Sequence, residues 1–230
     1  MNFPERPLIS ISDQQRKPIP FANWIATVPH GLPEDLYTFQ ANPSDYLVFI
    51  GRLCPEKRPD RDIEIAKKMG IPLRIGAKVD KVDQEYFDAE IKPLLDCSLI
   101  EFVGEINEPE KNELLGGARA LLFPIDWPEP FGLVMIESHA CGTPVVAFDC
   151  GSVPEVLEHS KTGFIVQNTD GAIEALRNIG TISRTTCRQE FERRFTAARM
   201  AENYLRIFEV QYRATTRLNN EADAASSRPN

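Results

Sequence analysis

Beyond residue 45 the chain alternates short apolar runs with longer stretches in which apolar residues recur at helical spacing. YLVFI (46–50) is a continuous apolar run of strand length. PDRDIEIAKKM (59–69) places Ile63, Ala66 and Met69 on one helix face, with Pro59 in the first turn and Gly70 as C-cap. LRIGA reads as a strand, and VDQEYFDAEIKPLL as a helix that Pro93 ends or kinks. LIEFVG, RALLFPI, TPVVAF and TGFIVQ continue the strands. PEKNELLGGA and FGLVMIESHA are helices between them, the second starting near Phe131 and closing at Gly142. Short apolar strands separated by helices predict an α/β fold: a doubly wound, Rossmann-like parallel sheet with helices on both faces. Ligands of such sheets bind outside the carboxyl ends of the strands.

The ends of the chain read differently. Prolines from Pro4 to Pro43 punctuate residues 1–45, so this segment is expected to be a connector and remnant of a preceding domain, with LISIS extended. AARMAENYLRIFEVQYR is an amphipathic helix with Met200, Tyr204, Ile207 and Phe208 on one face. Residues 214–230 are polar and alanine-rich without periodicity and are expected to be disordered. The main domain is therefore placed at 46–213.

Charge narrows the function. A formal net charge of −8 argues against a broad nucleic-acid footprint but leaves room for a local cationic pocket. No apolar run reaches the roughly 20 residues of a membrane span. The opening MNFPERPLIS lacks a signal-peptide pattern, so a cytoplasmic location is expected. Cys54, Cys97, Cys141, Cys150 and Cys187 match no zinc spacing and are expected to be reduced and structural.

Two constellations carry candidate chemistry. In WPEPFGLVMIESHACGTPVVA (127–147), Glu129 precedes a helix start, Gly132 allows close backbone approach, and Glu137 lies inside the helix. Free N–H groups at a helix start suit a phosphate, and carboxylates accept hydrogen bonds from sugar hydroxyls. With equal weight, Glu129 merely complements the helix dipole and Glu137 is a solvated surface residue. In GRLCPEKR (51–58), Arg52 and Lys57 follow a strand end and suit a diphosphate, or else form an ordinary charged loop. Asp60-Arg61-Asp62 has the spacing of a metal motif, but acidic residues are also favoured at a helix start, and no metal site is expected. His139 and His159 read as packing or surface residues, and Gly31 as a backbone device at a turn.

GRLCPEK, FVGEI, the Glu-x7-Glu pair around EPFGL, ACGTPVVA, GSVPEV and TGFIV occur in this order, and together they resemble the group-1 (family 4) retaining glycosyltransferases over about residues 8–212. That resemblance implies the GT-B architecture of two facing α/β domains, of which this chain is the donor-binding half. It implies that Arg52 and Lys57 hold the donor diphosphate and that Phe131, Gly132 and Leu133 offer amides near phosphate and sugar. Glu129 would contact donor-sugar hydroxyls and act in catalysis with Arg52 and Lys57. Glu137 would take the ribose hydroxyls, and Val103, Gly104, Glu105 and Ile106 would lie near the base. Two positions depart from the pattern: Arg58 stands where glycine is frequent, and His139 where small or apolar residues are usual.

The implied reaction transfers a hexose from a nucleoside-diphosphate sugar, UDP-glucose by default, without metal or other cofactor. The implied partners are an N-terminal acceptor-binding domain, an acceptor that includes the peripheral membrane class, and a second copy through the C-terminal helix. The chain alone is expected to be inactive. Two rivals remain: a non-catalytic nucleotide-sugar-binding module, and a sugar-nucleotide epimerase of the same architecture, against which the Glu-x7-Glu pair speaks.

Overall fold

Six parallel strands form the main sheet in the order β5-β4-β3-β6-β7-β8: Ile100–Gly104, Leu73–Lys78, Leu47–Arg52, Ala120–Phe123, Val145–Phe148 and Gly163–Val166. The computed structural model describes residues 6–95 and 97–226, excluding side chains at 214, 215 and 217–226. Every residue of β6 and β7 is buried, as expected of strands covered on both faces. Alternation along β3 explains how two layers share one sheet. Leu47 and Phe49 face a core with Ile63 of α1 (Pro59–Met69) and Leu176 of α6 (Thr169–Arg177). Val48 faces the opposite core with Leu115 of α3 (Glu108–Gly117), Ile136 of α4 (Leu133–Ala140) and Phe191 of α7 (Arg184–Arg194).

Two arginines one turn apart on α7 tie the second layer together. Arg184 donates to the carbonyls of Gln40 (2.6 Å), Gly116 (2.6 Å) and Ala118 (2.9 Å) and to the Thr143 hydroxyl (2.8 Å). Arg188 donates to the carbonyls of Glu34, Tyr37 and Ala140. The carbonyls at the ends of α3 and α4, which no helix can satisfy from within, are thereby partnered.

The N-terminal connector holds a separate two-stranded parallel sheet, β1 (Leu8–Ser10) with β2 (Trp24–Thr27). β1 lies within the stretch expected to be extended. Gly31 is the expected backbone device: a Cβ there would lie 2.3 Å from the Thr196 carbonyl oxygen. That approach lets Leu32 exchange hydrogen bonds with Phe195 and Ala197, joining the connector to the start of α8 (Ala197–Ser226).

Three elements differ from expectation. The stretch after β4 is not one helix but a 3-10 turn (Lys81–Asp83), one α-helical turn, α2 (Gln84–Tyr86), a π-turn (Phe87–Ile91) and a further 3-10 turn (Lys92–Leu94). Pro93 has no amide to return to Ala89, so the α register cannot close there. Second, α4 begins at Leu133 rather than near Phe131, because Gly132 at φ +79° is left-handed. Third, α8 continues to Ser226, so the expected disorder from Ala214 is corrected as far as that residue. Alanine, arginine, leucine and glutamate are strong helix formers, and lack of apolar periodicity does not weaken that propensity. Residues 227–230 lie outside the described residues. On α8, Met200, Tyr204 and Ile207 are half-buried, whereas Leu205, Phe208, Val210 and Tyr212 are exposed. Among the described residues no helix is long and apolar enough to cross a membrane.

Candidate functional site

The sheet changes direction of growth at β3, whose neighbours are β4 and β6. Loops leaving β3 and β6 diverge to opposite layers and open a crevice at the carboxyl ends of these strands. There the loop after β3 meets the loop after β6: the Lys57 ammonium donates to the Glu129 carboxylate. A backbone bond from Asp126 N–H to the Glu56 carbonyl, 2.9 Å, closes the same junction. Lys57 also stands 5.5 Å over the Phe123 ring at the end of β6. The pair is only partly exposed, 25% for the lysine side chain and 16% for the glutamate, so solvent screens it incompletely.

Local geometry explains why these side chains stand there. A 3-10 turn, Pro55–Lys57, carries Lys57 toward β6. Arg58, at the position where the resemblance expects glycine, takes the left-handed conformation glycine would favour, φ +53°. Its guanidinium is held by Asp60 (2.7 Å) and Asp126 (2.9 Å). On the other side, Gly151 at φ +61° lies directly against Glu129, and a Cβ at Gly151 would sit 2.5 Å from the Glu129 nitrogen. The Ser152 N–H donates to the Glu129 carbonyl, 2.9 Å. The GSVPEV segment thus fixes the backbone that aims Glu129.

Phe131, Gly132 and Leu133 follow immediately. Phe131 is buried edge-on against His30, 5.1 Å between ring centres, and Phe195, 6.1 Å. Gly132 leads into the first turn of α4, whose leading amides have no partner within the helix. Leu133 is exposed beside them.

Glu137, just over one turn into α4, is buried, which removes the solvated-surface alternative. Burial raises its pKa, and the Lys111 ammonium, 3.3 Å away, opposes that rise. Lys111 also pairs with Glu108 at 2.7 Å, and the Tyr37 hydroxyl donates to Glu108 at 2.7 Å.

The other expected site residues stand apart. Arg52 turns to Asp83 (3.3 Å) and Glu56 (3.9 Å), not to Glu129. Val103 and Gly104 end β5 at the edge of the sheet and Glu105 and Ile106 follow it, Val103 exposed, Gly104 left-handed at φ +88°, and Ile106 packed over Gly76. A groove of about 520 Å³ on the α1 side is lined by Glu56, Asp60, Glu90 and Asp126 against the single cation Arg58. That balance disfavours a diphosphate in this groove.

Asp60 is bound by Arg58, while Asp62 is fully buried and its pKa driven far up by desolvation, so the two carboxylates do not act together. The His159 Nδ1 accepts from the Ile165 N–H at 3.1 Å, and His139 is fully buried. The five cysteines are free thiols. Lys111, Tyr37 and Gly151 stand beside the candidate residues without having been singled out in the sequence, although Gly151 lies within the quoted GSVPEV motif; His30 figures in the sequence only with Gly31 at a turn.

Residues 39–187 match the family model for glycosyl transferases group 1. The chain belongs to this family. It is 31% identical over 150 residues to a D-inositol 3-phosphate glycosyltransferase of Rhodococcus erythropolis, covering 59% of this chain and 34% of that protein. The same enzyme name from Streptomyces scabiei matches at 31% over 147 residues, 58% of this chain and 33% of the relative. The chain therefore spans about a third of the length of these curated relatives. Among solved structures, AviGT4, a glycosyltransferase involved in avilamycin A biosynthesis, superposes with a TM-score of 0.75 at 25% identity, over 87% of this chain and 62% of that one. Anabaena Alr3699/HepE, solved with UDP and glucose, gives a TM-score of 0.75 at 18% identity, over 88% and 62%, and shares the fold.

Proposed function

We propose that this chain is the donor-binding half of a retaining glycosyltransferase of family 4. It binds a nucleoside-diphosphate hexose, with UDP-glucose the default donor, and works opposite an acceptor-binding domain. The observation that carries this reading is the meeting of Lys57 and Glu129 beside the start of α4, at the crevice where sheets of this kind take ligands. The group 1 family match and the UDP and glucose of the Anabaena neighbour support it.

In the transfer, the bond between the anomeric carbon and the diphosphate oxygen breaks and the diphosphate gains negative charge, while the acceptor oxygen bonds to the anomeric carbon and its hydroxyl proton passes to the departing diphosphate. Lys57 and the leading amides of α4 are fixed positive groups aimed at that charge, and Arg52 joins them by leaving Asp83. No metal ion is needed for that stabilisation. Glu129 accepts hydrogen bonds from sugar hydroxyls, and Glu137 from the ribose. Acceptor groups come from across the cleft, so the isolated chain binds donor without efficient turnover.

Calorimetric titration with UDP, GDP and ADP tests this reading. One of the three is expected to bind, at modest affinity. No heat and no thermal shift with any of them at millimolar concentration removes it.

A further inference from the structure

Glu137 does not stand alone. It is buried on α4, and a buried carboxylate accepts hydrogen bonds from a diol only while it stays ionised and correctly turned. The charged or titratable side chains that meet it come from two other elements. From α3, Lys111 stands 3.3 Å from its carboxylate, and Glu108 on the same helix repels it. From the connector, Tyr37 is buried, donates to Glu108 and, through the same hydroxyl, also favours the charged form of Glu137. Just past the end of its own helix, the Cys141 thiol stays neutral, its pKa pushed up to about 12 by burial. Across the α7 interface, Arg184 is spent on carbonyls of the connector and the end of α3, and Arg188 on the connector and the carbonyl of Ala140 at the end of α4.

Resting on the ribose assignment of Glu137, we propose that Lys111 is a positioning residue for nucleotide recognition. Held by Glu108, which Tyr37 in turn fixes, it keeps the Glu137 carboxylate charged and oriented toward the ribose diol. The geometry supports this role over a surface ion pair. The Lys111 side chain is 16% exposed and the Glu137 side chain 12%, and Lys111 lies between two carboxylates at 2.7 and 3.3 Å. A cation so placed neutralises one carboxylate's repulsion of the other while leaving Glu137 free to accept on its remaining lone pairs. The relay also reaches into the connector, because Thr38 N–H donates to Asn112 of α3 at 2.8 Å. The segment before the sheet domain therefore helps to set the ribose site.

The test compares Lys111→Met and Lys111→Arg with the parent chain. Affinities are measured from pH 5 to 9 for the tightest of UDP, GDP and ADP, for its 2′-deoxy form, and for pyrophosphate, which lacks the ribose. Lys111→Met is expected to weaken the ribonucleotide about tenfold at pH 7, on the scale of one hydrogen bond to a charged group. It should also weaken the 2′-deoxy form less, leave pyrophosphate unchanged, and move the pH at which nucleotide binding fades upward. Lys111→Arg restores most of the affinity. Unchanged pyrophosphate binding shows that the variant is folded. If Lys111→Met proves unfolded, the carboxyl shift of Glu137 followed by NMR in Glu108→Gln replaces it, and the predicted change is a displaced titration of Glu137. An unmoved pH profile, or equal loss for nucleotide and pyrophosphate, overturns the role of Lys111 while leaving donor binding intact. Absence of nucleotide binding by the parent chain removes the function proposed above, and this role with it.

Discussion

Lys57 and Glu129, 72 residues apart in sequence, form one ion pair across the crevice between β3 and β6. The cation assigned to the donor diphosphate and the carboxylate assigned to the donor sugar are therefore each other's partners before any ligand arrives. On the proposed assignment, a diphosphate competes with Glu129 for Lys57, and a sugar competes with Lys57 for Glu129.

Glu129→Gln accordingly separates the two parts of the donor. Without the carboxylate, Lys57 meets the diphosphate unopposed, and UDP is expected to bind about threefold tighter, on the scale of a partly exposed ion pair. UDP-glucose should not gain, because the sugar loses a charged acceptor. Calorimetry with both ligands measures the ratio. A variant that weakens UDP contradicts the competition.

Gly151 supports Glu129 from behind, and its substitution is predicted to damage the site through the backbone. Alanine there must adopt φ +61° and place a Cβ against the Glu129 main chain. The left-handed conformation alone costs about 1–3 kcal/mol, and relief of the clash must move residues 128–129. Gly151→Ala is expected to lower stability by at least that amount in urea unfolding and to lose UDP-glucose discrimination over UDP. Unchanged stability would show that the loop yields easily.

Arg184 offers a test of the scaffold without touching the site. Its guanidinium partners carbonyls from the connector and from the end of α3, which α7 alone brings within reach. Arg184→Met leaves these acceptors unpaired and is expected to cost about 3 kcal/mol in urea unfolding. Arg184→Lys recovers part of that, because an ammonium cannot reproduce the planar fork. A loss below about 0.5 kcal/mol would mean that water replaces the guanidinium freely.

These residues show where the sequence was informative. Local patterns set the strands and α1, because apolar periodicity and the Pro59 and Gly70 boundaries agree there with the final packing. The stretch 81–94 misled because its helical pattern continues up to Pro93, whose missing amide breaks the register only in context. The end of α8 misled because helix propensity without an apolar stripe resembles an unstructured tail. Around the candidate site, Glu129, Glu137, Lys57 and Gly132 stand out through motif order as candidates. The partners do not: Lys111 meets Glu137 from 26 positions away, and Tyr37 meets Glu108 from 71. Such pairs depend on which helices share a layer, and that is fixed by the sheet order, not by local spacing.

His139 carries the prediction about pH. It is fully buried on α4, and neither ring nitrogen finds a hydrogen-bond partner of proper geometry, although the Thr162 backbone is close enough to favour the charged ring slightly. Burial pulls its pKa from 6.5 down to about 4. The folded protein thus refuses a proton that the unfolded chain accepts below about 6.5. Stability from this position is complete above pH 6.5 and falls as pH drops toward 4. Glu190 acts lower: burial raises its pKa, but Arg193 and Lys161 more than compensate and hold it at about 2, so its contribution is lost between about 4.5 and 2. His139→Met, which removes the titrating ring, is expected to lose less stability than the parent between pH 7.5 and pH 5 and to leave the lower transition in place. Urea unfolding of both proteins at pH 7.5, 5 and 3.5 measures this. Parallel losses in parent and variant between pH 7.5 and 5 would assign the acid sensitivity to other groups.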